Sequence, residues 1–117
     1  MAIATGNPQR LAAWYIDYLN FAPLLDTGTT VYIKSLNSVL LEFVKAESLP
    51  RRPQIHDAGL RHIALAVDNL ESAKEQLALR GIEFEGSSVS LPGARLFFFR
   101  DPEGNYLHLI QRETPLL

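Results

Sequence analysis

The stretch of sequence that decides the fold comprises residues 98–109, which read FFRDPEGNYLHL. Its DPEG segment, residues 101–104, combines a proline with a glycine that can adopt positive φ, and this combination predicts a tight turn. Apolar and aromatic residues on both sides predict two strands, 95–100 and 105–111, joined by that turn. The second of these strands carries a histidine, His108, near its middle.

Upstream of this hairpin, an apolar run at 60–67 predicts another strand, which a helix follows. Asp68 and Asn69 are suited to cap the helix, and Glu71 is placed to complete a capping box. A short strand is expected at 82–85, after the helix ends. The second half of the chain therefore reads strand, helix, strand, strand, strand.

The first half of the chain shows the same order. Asn7 can cap a helix that begins at Pro8, because proline suits the first helical position, and the helix is expected to run to about Asn20. Three short strands are predicted after it, around 24–26, 31–34 and 39–44. The two halves therefore form an internal repeat, in which equivalent positions lie roughly 61 to 66 residues apart.

The chain is predicted to be a single α+β domain built from paired βαβββ modules. Module one covers about residues 1–45, and module two covers about residues 59–113. The linker between them, about residues 46–58, has two prolines among charged and polar residues and shows no periodicity. His56 lies in this linker and is interpreted as an exposed polar residue.

Composition narrows the classes of function. A length of 117 residues suits one domain, and the absence of cysteine excludes disulfides, thiolate nucleophiles and cysteine-bound metal centres. The net charge of -2, with one adjacent basic pair at Arg51-Arg52, argues against nucleic acid as a partner. The sequence shows no apolar run long enough for a membrane and no leader pattern, so a cytoplasmic location is expected.

Ionisable side chains within apolar strands are the candidates for chemistry. Glu42 lies in the middle of a predicted strand, where an unpaired carboxylate would be costly. The repeat makes Glu42 the counterpart of His108, and it places the counterpart of His62 at or just before Met1. If the strand faces that carry Glu42, His62 and His108 line one concavity, these three side chains converge.

Two imidazoles and one carboxylate suit a divalent metal such as Fe, Mn, Ni, Co or Zn, and they leave positions open for substrate oxygens. The alternative is structural: Glu42 faces solvent on an edge strand, and the two histidines are hydrogen-bonded residues of the core or rim. The sequence leaves both interpretations open.

Substrate-binding candidates lie on the last two strands. Tyr106 shares a strand face with His108. Phe97 could present its ring to an apolar ligand, although a run of three aromatic residues also suits a buried core. Arg95 and Arg100 flank that run and could pair with a substrate carboxylate or phosphate, or they could be solvated. We take Tyr106, Phe97 and Arg95 as the predicted substrate-binding residues.

Residues 59–70, 79–84 and 98–109 together resemble the second module of the vicinal oxygen chelate superfamily. This superfamily includes glyoxalase I, extradiol dioxygenases, methylmalonyl-CoA epimerase and the fosfomycin and bleomycin resistance proteins. The resemblance implies a glyoxalase-like, half-open, cup-shaped barrel with a divalent metal at its floor in the enzymes, and it implies a homodimer. It matches His62 and Glu42 to metal ligands, whereas His108 replaces the usual glutamate.

The resemblance therefore predicts a metal-dependent lyase, isomerase or oxygenase that acts on a small oxygenated molecule. Glu42, His62 and His108 would be the metal ligands, and Glu42 is also the predicted catalytic carboxylate. One carboxylate cannot easily be both a ligand and a free base, which argues against chemistry of the glyoxalase I type. The alternative is a metal-free protein of the bleomycin-resistance type that binds or sequesters a small-molecule ligand.

Overall fold

The computed structural model describes residues 1–48, 55 and 60–114. The chain divides into two compact units, residues 1–51 and 52–117. Most of the predicted linker, including His56, lies outside the described residues. In the described part of the chain, no helix is both long and apolar enough to cross a membrane.

The first unit is a four-stranded sheet with one helix. Its elements are β1 (Ala2–Thr5), α1 (Pro8–Leu19), β2 (Ala22–Asp26), β3 (Thr30–Lys34) and β4 (Leu40–Lys45). The strand order is β1-β4-β3-β2; β1 runs parallel to β4, and the other neighbouring strands are antiparallel. Helix α1 thus connects β1 to the antiparallel part of the same sheet.

The second unit repeats this topology. Its elements are β5 (His62–Ala66), α2 (Leu70–Leu79), β6 (Phe84–Leu91), β7 (Ala94–Arg100) and β8 (Tyr106–Arg112). The strand order is β5-β8-β7-β6, again with one parallel pair, β5 with β8. The predicted α+β class and the paired βαβββ modules are therefore confirmed.

Asparagine caps begin both helices. Asn7 accepts a hydrogen bond from the Arg10 amide at 3.1 Å, and Asn69 accepts one from the Ser72 amide at 3.0 Å. The predicted capping box is wrong, because with Asn69 as the cap the third helical position belongs to Ser72. Glu71 instead forms an ion pair with Arg95 of β7 at 2.8 Å.

The core of each unit lies between its helix and one face of its sheet. In the first unit, Leu11 and Tyr15 of α1 are buried with Ile33 and Phe43 of the sheet, and the Tyr15 and Phe43 rings lie 5.2 Å apart. The second unit buries four residues in the same way: Leu70 and Leu77 of α2 with Phe99 and Leu107 of the sheet. Each of these large side chains contributes about 1.5–3 kcal/mol by leaving water.

The turn predicted from DPEG is confirmed, and its carboxylate holds it together. Gly104 has φ +85°. Asp101 is 4 % exposed and accepts hydrogen bonds from the amides of Glu103 and Asn105, both at 2.9 Å, and from Asn105 Nδ2 at 2.7 Å. Strand β6 extends to Leu91, well past the predicted end at Glu85, because β7 pairs with its polar second half as well.

Candidate functional site

The two strand histidines of the second unit lie on one face of its sheet. In the parallel pair, His62 of β5 is opposite Tyr106 and Ala64 is opposite His108. Residues that are directly opposite in a ladder project to the same side, so these side chains share a face. We call it the histidine face.

The neighbouring strands add three more side chains to the histidine face. On β7, Phe98 is opposite His108 and Arg100 is opposite Tyr106. On β6, Glu85 is opposite Phe98. Around the two imidazoles, the histidine face therefore carries the carboxylate of Glu85, the guanidinium of Arg100 and the aromatic rings of Phe98 and Tyr106.

The His62 and His108 rings are direct neighbours, with centroids 4.6 Å apart. His108 is 5 % exposed, whereas His62 is exposed at the first position of β5. The plane of the Phe98 ring is nearly perpendicular to both imidazoles, and its centroid lies 5.2 Å from that of His108 and 5.8 Å from that of His62. The pair thus has one imidazole open to solvent and one enclosed beside an aromatic ring.

His108 is held in its neutral form. Burial, followed by the nearby His62 and with a smaller effect of Arg112, lowers the pKa of His108 from 6.5 to about 4. Its Nδ1 atom is buried and has no hydrogen-bond partner among the described residues. A neutral imidazole with an unpartnered nitrogen is the form in which histidine binds a metal ion.

The low pKa of His108 predicts acid sensitivity of the metal-free protein. Between pH 6.5 and 4 the unfolded chain binds a proton at His108 more readily than the folded chain does. The free energy of unfolding should therefore be largest above pH 6.5 and should fall as the pH drops toward 4, by at most about 3 kcal/mol from this residue.

Urea unfolding of wild type and His108→Gln in the presence of chelator measures this contribution. The glutamine variant should lose less stability between pH 7 and 4.5, because it has no imidazole to protonate. Parallel losses in the two proteins would show that His108 does not titrate in this way.

Glu42 lies at the middle of β4 in the first unit and is half-buried. It is opposite Tyr32 of β3, and the Tyr32 hydroxyl donates a hydrogen bond to Glu42 Oε1 at 3.4 Å. This contact provides a partner for the carboxylate in an otherwise apolar strand. Oε2 of Glu42 has no hydrogen bond to any other described residue.

The two sheets have matching registers. Ala2 of β1 is opposite Glu42, as Ala64 of β5 is opposite His108. The position equivalent to His62 would then precede Met1, which agrees with the comparison of the two sequence halves. Glu42 therefore occupies in the first sheet the strand position that His108 occupies in the second.

The structure separates the predicted substrate-binding residues. Tyr106 is half-buried on the histidine face, as expected. Phe97 and Arg95 project to the opposite face, where Lys74 of α2 lies 4.3 Å from the Phe97 ring centroid and Glu71 pairs with Arg95. The structure therefore does not bring these two residues together with the histidines.

Phe98 and Arg100, and not the predicted Phe97 and Arg95, are the aromatic and cationic residues of β7 that lie on the histidine face. The turn is the signal that could have identified them. If Arg100 and Tyr106 are the pair next to the turn, the residues two positions farther from it on each strand, Phe98 and His108, are also opposite each other. Tyr32 as the partner of Glu42 was missed because pairing between strands cannot be read from either strand by itself.

His62 and His108 are a pair of candidate metal ligands in the second unit. Within residues 1–48, 55 and 60–114, no three His, Cys, Asp or Glu side chains are grouped so that they could hold a metal ion. The donor chemistry of His62 and His108 fits a divalent ion, and the three-ligand set with Glu42 stays a prediction.

Comparison with known proteins identifies the family. The family model of the Glyoxalase/Bleomycin resistance protein/Dioxygenase superfamily matches residues 1–109. The chain is 32% identical to the uncharacterized protein YwkD of Bacillus subtilis strain 168 over 120 residues, covering 96% of this chain and 94% of that protein.

Solved structures show the same fold. The glyoxalase family protein from Enterococcus faecalis is 30% identical, with a TM-score of 0.79, and the match covers 94% of this chain and 93% of that one. Lactoylglutathione lyase from Agrobacterium tumefaciens has 20% identity and a TM-score of 0.72, covering 95% of this chain and 90% of that one. The chain belongs to the Glyoxalase/Bleomycin resistance protein/Dioxygenase superfamily.

Proposed function

We propose that this protein is a divalent-metal-dependent enzyme of the lyase, isomerase or oxygenase kind that acts on a small oxygenated molecule. The observation that carries the proposal is the His62–His108 pair, in which the buried His108 is neutral and its Nδ1 has no partner in the described part of the chain. Burying such a nitrogen costs about 1–3 kcal/mol unless something binds it. A metal ion would compensate that cost.

In this proposal, His62 and His108 hold the ion, and Glu42 is the predicted third ligand or the base. A bound divalent ion would polarise a substrate oxygen and stabilise the negative charge that develops on it. Phe98 shields the imidazole pair from water on one side. If Glu42 acts as the base, Oε1 keeps the bond from Tyr32 and Oε2 accepts the proton.

A second candidate function is metal-free binding of a small ligand, as in the bleomycin-resistance type. It is favoured by the finding that the described residues form no group of three metal ligands. Phe98 and Tyr106 would then contact the ligand, and His62 and His108 would offer hydrogen bonds. This candidate involves no catalysis.

Metal loading of the whole chain separates the two candidates. Protein purified without chelator is analysed for Mn, Fe, Co, Ni and Zn, and the metal-free protein is then titrated with each ion during urea unfolding. The enzyme proposal expects about one ion per chain and a gain of about 2.7 kcal/mol in unfolding free energy at 100 times the dissociation constant. A preparation without metal, whose stability no ion changes, would leave the binding candidate.

The Co(II)-loaded protein tests whether positions on the metal remain open. Its visible absorption spectrum is recorded before and after addition of acetohydroxamate, a small molecule that chelates through two oxygens. A spectral change indicates open positions, as catalysis requires. An unchanged spectrum would mean that the protein closes the coordination sphere and that the metal is structural.

A further inference from the structure

Arg100 is the cationic side chain in the same row of the histidine face as His62, whereas Arg112, whose charge acts on His108, lies at the far end of β8. It lies at the end of β7 opposite Tyr106, and Tyr106 lies opposite His62. The three residues therefore form one row across three neighbouring strands. Since adjacent strands are about 4.8 Å apart, the backbones of Arg100 and His62 are separated by roughly 10 Å. One small molecule can contact both side chains.

Contacts on two sides fix the guanidinium of Arg100. Its Nε donates to Glu85 Oε1 at 2.5 Å, and its Nη2 donates to the Tyr106 hydroxyl. The guanidinium carbon lies 4.2 Å from the centroid of the Tyr106 ring, within the range of a cation–π contact. Nη1 has no hydrogen bond to any described residue. The arginine is thus oriented, with donors left for a further partner.

Arg95, on the opposite face of the sheet, gives a matched comparison. Both arginines pair with a glutamate near the surface: the side chains of Arg95 and Glu71 are 49% and 62% exposed, and those of Arg100 and Glu85 are 42% and 44% exposed. The Arg95 pair joins the sheet to α2, which gives it a structural role. The Arg100 pair joins β7 to β6 on the face that carries the histidines.

The chemistry of this face determines what Arg100 can recognise. In the metal-loaded site the ion would take the reacting oxygens of the substrate, and the uncharged imidazoles add no positive charge for a second, anionic group at the other end of the substrate. A guanidinium with free N–H groups matches two oxygens that share a negative charge, as in a carboxylate or a phosphoryl group. The Phe98 ring is two residues before Arg100 on β7 and contacts both imidazoles and the Tyr106 ring, so it suits an apolar middle section of the substrate.

We propose that Arg100 is the specificity-determining residue that binds an anionic oxygen group of the substrate, with Glu85 and Tyr106 as the residues that position it. This inference rests on the proposed function, since it assumes that the substrate lies on the histidine face. The substrate class is then a small oxygenated molecule with a carboxylate or phosphoryl group at one end.

Titrations of the metal-free full chain with acetate, inorganic phosphate and the neutral acetamide test this assignment by NMR. The signals followed are the Arg side-chain Nε–H groups and the amides of residues 98–106. Acetate or phosphate should shift the Arg100 signals, and acetamide should not. Binding of phosphate without acetate would identify a phosphoryl group, and the reverse would identify a carboxylate.

Variants decide whether Arg100 is responsible. Arg100→Gln should weaken anion binding about tenfold, the equivalent of about 1.4 kcal/mol, and Arg100→Lys should retain part of it. Arg95→Gln should stay within twofold of wild type. The inference is overturned if acetamide binds as well as acetate, if no anion binds, or if the Arg95 variant loses as much as the Arg100 variant.

The result of the anion titrations can be distinguished from the result of the metal-loading experiment. The anion titrations use chelator-treated protein, so they succeed or fail independently of metal loading. Anion binding at Arg100 in a protein that takes up no metal would reject the enzyme and retain the anion site. Metal loading without anion binding would reject the anion site at Arg100 and retain the enzyme proposal. Because an exposed ion pair contributes at most about 1 kcal/mol, the Arg100 variants are expected to fold.

Discussion

Replacement of His108 by alanine should lower the affinity of the protein for Zn(II) by about 100-fold or more. Loss of a group that only orients a ligand commonly costs 10- to 100-fold, and loss of the ligand itself should cost at least the upper end of that range. His62→Ala should have a comparable effect, because the two rings are adjacent and each supplies one donor. Competition with a chromophoric chelator measures both affinities.

The third histidine of the chain supplies the control. His56→Ala should bind Zn(II) within about twofold of wild type, since the prediction assigns it no ligand role. His108→Leu separates folding from binding: it removes a buried nitrogen without a partner in the described residues, so the metal-free variant should be at least as stable as wild type. Equal losses of affinity in the variants at positions 56, 62 and 108 would contradict the site.

Replacement of Asp101 by alanine should destabilise the protein by about 3 kcal/mol. The carboxylate accepts bonds from two backbone amides and one side-chain amide within the turn, and it is almost fully buried. Its removal leaves these donors without their partner in the turn between β7 and β8. Urea unfolding followed by circular dichroism measures the loss.

Two further variants locate the cause in the turn. Asp101→Asn should lose roughly half as much, because it keeps one acceptor oxygen but places a second NH₂ group against Asn105 Nδ2. Asp68→Ala removes an exposed aspartate and should change stability by no more than about 0.5 kcal/mol. A cost for Asp101→Ala as small as that for Asp68→Ala would show that the carboxylate does not hold the turn.

Local signals account for most of the fold that could be predicted. Asn7 before Pro8 set the start of α1, and the DPEG segment set the turn between β7 and β8. Each of these depends on a few neighbouring residues, whose preferences act in any context. Strand β6 was underestimated because Gly86 and the serines after it lack the alternation of a half-buried strand, and its pairing with β7 extends the strand.

The candidate site was less predictable, because it depends on which side of a strand faces which neighbour. A run of three aromatic residues has no alternation, so Phe97 and Phe98 are equivalent in the sequence. The structure distinguishes them: Phe97 is buried on the face that α2 covers, and Phe98 is opposite His108. Arg95 and Arg100 are an odd number of residues apart on β7, so they project to opposite faces, and it is Arg100 that lies beside Tyr106.

The sequence by itself determined the two βαβββ units, the helix starts, the hairpin turn and the family, because these follow from local preferences and from a motif carried by contiguous residues. It also indicated His62, His108 and Glu42, since polar groups in apolar strands stand out without any structure. Only the tertiary structure decided that His108 is buried beside His62, that Tyr32 bonds Glu42, and that Glu85 and Tyr106 orient Arg100. These facts depend on the register between strands that are distant in the chain, and register is set by the packing of whole sheets.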